Sequence, residues 1–148
     1  MSIRRLLFIL SVIVFITVSV LLTTGSKWLL ISLSKTSNIP SGTFITWLGL
    51  IALPSSILLG TNKLYFPKSS IDKLFRKFIL FALLLAILWV PVSYFLAGNI
   101  SFTFSEKDTF QGGQKAMQWF WYFTYGIPIY SLSIILIYGI ISLFKTRN

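Results

Sequence analysis

The chain contains no cysteine and no histidine, and only three of its 148 residues are acidic. Each absence removes a class of chemistry. Without cysteine there is no disulfide framework, thiol redox couple, thiolate metal site or cysteine-linked haem. Without histidine the commonest metal ligand and proton shuttle is missing. The three carboxylates are Asp72, Glu106 and Asp108, and all fall in polar connecting segments. Glu106 and Asp108 flank Lys107 in what reads as a solvated turn rather than an acid–base pair. No catalytic residue, metal site or cofactor is therefore expected.

Charge is also missing from four long apolar stretches, Leu6–Leu22, Thr43–Gly60, Phe78–Ala97 and Trp119–Phe144. A run of roughly 20 such residues crosses a hydrocarbon core of about 30 Å as a helix. With 55% hydrophobic and 11% charged residues, a soluble domain of this size would lack the polar side chains to cover its surface. The expected fold is an all-α membrane protein. One integral membrane domain, residues 1–148, would form a four-transmembrane-helix bundle with helices at about 6–24, 43–60, 78–97 and 119–144. The first stretch has no small-residue cleavage site after it, so it reads as a retained anchor rather than a signal peptide.

The net charge of +10 comes from 13 basic residues against three acids. They form no stripe on one helix and fit no nucleic-acid motif, so no nucleic-acid partner is expected. Their neighbours should be the headgroups of a lipid bilayer. Arg4, Arg5, Lys63, Lys68, Lys73, Arg76, Lys77, Lys145 and Arg147 fall on one side of the alternating spans. Lys27, Lys35, Lys107 and Lys115 fall on the other. Lys and Arg resist translocation, so both termini and the 61–77 loop are expected in the cytoplasm.

Within the spans the informative residues are prolines, small residues and aromatics. Pro54, Pro91 and Pro128 each remove one helical hydrogen bond and predict a kink. Ala52, Ser56 and Gly60 recur at intervals of four and predict a face for close helix packing. After the first span, Trp28–Leu33 is too short to cross and would either lengthen that helix or lie in the outer interface. In the 61–77 loop, Ile71, Leu74, Phe75 and Phe78 follow helical spacing, and Asp72 suits a helix N-terminus. Between the third and fourth spans, Ile100, Phe102 and Phe104 alternate with Ser101, Thr103 and Ser105, predicting a small β-hairpin closed near Gly112-Gly113. The fourth span starts with Trp119, Phe120, Trp121, Tyr122, Phe123 and Tyr125. Such rings favour the membrane interface and also dominate contact energies between proteins.

A basic loop, Lys63–Lys77, leads into a proline-bearing third span. A strand-like outer segment, Asn99-Ile100-Ser101-Phe102-Thr103, follows. An aromatic last span then ends in Phe144-Lys145-Thr146-Arg147. This layout, across roughly the second half of the chain, resembles the immunity proteins that protect bacteria from pore-forming colicins of the A, B and N type. The chain departs from the family pattern in having Ser101 where an acidic residue often stands. It also has Lys35-Thr36-Ser37-Asn38-Ile39-Pro40 in place of a Lys-Thr-Ala-Pro entry to the second span. The resemblance implies a non-enzymatic, plasmid-borne protein whose partner is the channel domain of a pore-forming bacteriocin, met inside the bilayer. The partner-binding candidates are Pro91, Ser93, Tyr94, Trp119, Trp121 and Tyr125. The alternative expectation is an accessory subunit or assembly factor of a larger membrane complex, which would use the same apolar faces.

Overall fold

The computed structural model describes residues 2–31, 40–97 and 113–145. Six α-helices and one 3-10 turn account for its regular elements. They are α1 (Ile3–Thr23), the turn Lys27–Leu30, α2 (Ser41–Gly60), α3 (Asn62–Tyr65), α4 (Ser70–Ile87), α5 (Trp89–Ala97) and α6 (Gly113–Lys145). Helices α1, α2 and α6 are each long and apolar enough to cross a membrane. A fourth span exists if α4 and α5, which meet at 48°, count as one bent segment. The expected hairpin lies outside the described residues.

α1 begins at Ser2, whose hydroxyl accepts from the Arg5 amide. Three of its hydroxyls bond back to the preceding turn, Ser11 to the Leu7 carbonyl, Ser19 to the Phe15 carbonyl and Thr23 to the Ser19 carbonyl, so these three carry no unpaired group into an apolar surround. The helix stops because Gly25 adopts φ +58°, a left-handed conformation open to glycine. The Gly25 amide then bonds the Leu22 carbonyl and the Ser26 amide the Leu21 carbonyl, which is the Schellman pattern. Of the two readings of the Trp28 segment, lengthening of the first helix is thereby excluded. The chain turns back instead, leaving Trp28 and Leu30 exposed.

α2 is the central helix. Gly42, Gly49 and Gly60 are seven and eleven residues apart, and at 100° per residue they share one face. α1 and the 3-10 turn lie on that face. A Cβ on Gly49 would stand 2.5 Å from Val18 Cγ1, on Gly60 2.6 Å from Phe8 Cε2, and on Gly42 2.8 Å from the Leu29 carbonyl oxygen. Of the predicted small-residue face, Ala52 is buried, Ser56 bonds back to Leu53 and Gly60 meets Phe8. α2 runs without interruption through Pro54, and α6 through Pro128.

Pro91 behaves differently. It denies the Ile87 carbonyl its amide partner, and the helix breaks there, at Leu88. One residue before Ile87, the Trp47 indole of α2 donates to the Ala86 carbonyl at 3.0 Å. The bend is thus held by a hydrogen bond from a neighbouring helix, as expected where water is absent.

α4 opens with a capping box, the Asp72 amide bonding Ser69 Oγ and the Ser69 amide bonding Asp72 Oδ2. Its inward face is Phe75, Ile79, Ala82 and Ala86, while Ile71, Leu74 and Phe78 remain exposed. α6 starts at Gly113, six residues before the first uncharged position, and its 33 residues reach about 50 Å.

Three cross-contacts gather the basic segments at one end. Arg4 donates to the Leu59 carbonyl and to Asn62 Oδ1, and stacks over Tyr65 at 4.5 Å. Lys63 donates to Ser142 Oγ at 3.3 Å. The buried Tyr138 hydroxyl donates to Asp72 Oδ1 at 2.7 Å. Around it, Leu64, Phe75, Ile79, Ala82 and Ile134 form one apolar cluster. A hydrogen bond to a charged group is worth about 1.5–3 kcal/mol. Tyr138→Phe should lower stability by about 2 kcal/mol in a detergent unfolding titration, whereas Tyr130→Phe, which does not contact Asp72, should change it by less than about 0.5 kcal/mol.

Candidate functional site

The other end of the bundle is built by α5, the first half of α6 and the start of α2. Its framework is a second cluster of Leu50, Ala86, Trp89, Phe120 and Ile127. Trp89 is fully buried, packs its ring on Phe120 at 5.9 Å and donates from Nε1 to Thr124 Oγ1 at 2.8 Å. Thr124 passes its own proton to the Phe120 carbonyl at 2.7 Å. This pair locks α5 against α6 and so decides which aromatic rings turn outward.

The six sequence-derived candidates separate into two groups. Tyr94, Trp119 and Tyr125 are exposed, Trp119 by 65% and Tyr125 by 58%. Trp121 is half-buried and stacks on Tyr125 at 5.4 Å with ring planes 16° apart. Pro91 is exposed. Ser93, in contrast, is fully buried, and its hydroxyl has no hydrogen-bond partner. It faces the interior of the bundle. Two further exposed rings lie outside the six candidates: Phe95, and Tyr122, which the sequence offered only as part of the aromatic run. Tyr122 lies three residues after Trp119 and touches it edge-on at 6.1 Å, so helical spacing was the available signal.

Beside these rings is a cleft of about 420 Å³ between the turn after α1, the start of α2 and α6. Leu22, Leu29 and Pro40 supply apolar walls, and Trp121 and Tyr125 close one side. Thr46 also lines it. That side chain is 4% exposed, and its hydroxyl has no hydrogen-bond partner. Thr43, one turn earlier, is likewise buried and unpartnered. An unpaired buried hydroxyl is costly. Among the described residues no three His, Cys, Asp or Glu side chains come together as a metal site. The only carboxylate described, Asp72, sits at the opposite end.

These features define a helical protein with three helices, or four with the bent pair, fit to cross a membrane. Comparison with known proteins finds no matching family, no matching curated protein and no matching solved structure.

Proposed function

We propose that the protein acts without chemistry, by holding a membrane-embedded helical segment of another protein. We further propose that this segment belongs to the channel domain of a pore-forming bacteriocin. The observation that carries the reading is the end of the bundle formed by Tyr94, Trp119, Trp121 and Tyr125 beside the Thr46 cleft. It offers ring surface and an unpaired hydroxyl but no titratable group suited to catalysis. The layout shared with colicin immunity proteins supports the choice of partner.

In this reading α4 and α5 form one bent span, so the chain crosses the bacterial inner membrane four times. The shared end of Arg4, the 61–77 loop and the last turns of α6 supports an even number of crossings. The excess of basic residues at that end supports a cytoplasmic position for both termini. The aromatic end then faces the compartment from which a toxin channel inserts.

Expression in bacteria sensitive to pore-forming bacteriocins tests the proposal. The intact chain should raise survival by at least about tenfold against the toxin encoded beside its gene. Trp121→Ala with Tyr125→Ala should abolish that protection while protein abundance in the membrane is retained, a loss of about 2 kcal/mol or more in binding. Absence of protection against any such toxin would sink the reading. A stoichiometric endogenous partner recovered without toxin would replace it with the accessory-subunit reading.

A further inference from the structure

The basic end holds a second cleft, of about 470 Å³, between α3, the start of α4 and the last turns of α6. Its lining is divided. Lys63 and Lys68 supply positive charge, and Phe66, Ile71 and Ile141 supply apolar wall. Asp72 also borders it, but both carboxylate oxygens are engaged, Oδ1 by Tyr138 and Oδ2 by the Ser69 amide. The Lys63 ammonium makes its hydrogen bond to a neutral hydroxyl, Ser142 Oγ.

We propose that this cleft binds the headgroup phosphate of an anionic phospholipid, with Lys63 and Lys68 on the phosphate and Phe66, Ile71 and Ile141 against the glycerol and upper acyl chains. The pairing of charge with apolar wall is what selects a lipid. A free phosphate would use the lysines and leave the three apolar side chains without a role. Position agrees, because the cleft lies at the ends of spans where headgroups begin, and basic pockets between helices at that depth suit anionic headgroups. It also differs from diffuse attraction to a charged surface. Lys73 and Lys77 are equally exposed on α4 but do not line the cleft.

The test is native mass spectrometry of the full-length chain in mild detergent. It is titrated separately with phosphatidylglycerol, phosphatidylcholine and inorganic phosphate. The intact chain should prefer phosphatidylglycerol over phosphatidylcholine by roughly 30-fold, the effect expected of two lysines near the phosphate. Lys63→Gln with Lys68→Gln should reduce that preference to under about threefold at an unchanged thermal midpoint, while Lys73→Gln with Lys77→Gln should keep most of it. Equal losses in the two double variants would overturn the site in favour of diffuse charge. No preference between the two lipids would overturn it outright. Displacement of the lipid by inorganic phosphate at comparable concentration would overturn the lipid assignment.

Discussion

Gly49→Leu is expected to release α1 from the bundle. Beyond the Arg4 contacts at its start, α1 has few other means of attachment. Val18 is its only buried residue, at 7% exposure, and most of its other large side chains point outward. In a bilayer those outward side chains exert no pull toward the protein, because lipid tails are as apolar as they are. Attachment therefore rests on van der Waals contact, which needs the helices close, and the three glycines of α2 provide that closeness. At Gly49 a Cβ would stand 2.5 Å from Val18 Cγ1 and 3.0 Å from Val18 Cβ. Val18 is β-branched and cannot swing away cheaply.

Two effects oppose each other in Gly49→Ala. Helix propensity favours alanine by about 1 kcal/mol, and overpacking costs about 1–3 kcal/mol. The net should be a loss of about 1 kcal/mol. Leucine adds three more carbons with no further gain in propensity, so Gly49→Leu should cost about 3 kcal/mol or more and separate the helices. The measurement is equilibrium unfolding in mixed micelles, with a double-mutant cycle against Val18→Ala. Coupling of at least about 1 kcal/mol is expected, since the smaller side chain makes room for the added Cβ. A Gly49→Leu protein as stable as the parent would show that α1 is not held through this face.

Trp89→Ala should be the most damaging single truncation elsewhere in the bundle. The ring is fully buried directly after the break between α4 and α5, and it joins α5 to α6 by packing and by its bond to Thr124. Removing it opens a large cavity, and buried Trp→Ala changes cost about 3–5 kcal/mol. Trp89→Phe keeps most of the volume and loses the hydrogen bond, so it should cost about 1–1.5 kcal/mol. Thr124→Val is predicted to be the worse of the two conservative changes, at about 2 kcal/mol, because it strands an indole N–H in an apolar interior. The two conservative changes combined should cost clearly less than their sum, since both groups of the hydrogen bond are then gone. Simple additivity in micelle unfolding would mean the Trp89–Thr124 bond contributes nothing. Under the proposed function, the same variants should weaken protection in parallel with stability, because Trp89 packs behind the exposed rings without being exposed itself.

Much of the helical layout was legible in the chain. The four uncharged stretches all fall within helices, and the helix in the 61–77 loop opens near Asp72 as its spacing implied. Three features were not legible. Each proline predicted a kink; at Pro91 the helix breaks outright, with a 48° bend, while α2 and α6 continue as helices through Pro54 and Pro128. At Pro91 the break lies beside a bond from Trp47, forty-four residues earlier than the proline, to the Ala86 carbonyl, one residue before the carbonyl that Pro91 frees. Ser93 read as a surface candidate beside Tyr94, but neighbours on a helix point 100° apart, and α5 turns Ser93 inward. The glycine face of α2 was hidden because its spacing of seven and eleven residues spans several turns. It becomes meaningful only once α1 is seen against it.

The sequence by itself determined where this protein's helices can lie and which chemistry they cannot perform. Both follow from properties summed residue by residue, the expense of charge in hydrocarbon and the absence of histidine and cysteine. Tertiary structure alone decided the pairings: Val18 against Gly49, Trp89 to Thr124, Tyr138 to Asp72, and a cleft where Thr46 meets Trp121 and Tyr125. Such pairings join residues far apart in the chain. Association inside a bilayer is selected by close fit and hydrogen bonding between particular atoms, not by hydrophobicity that every helix shares.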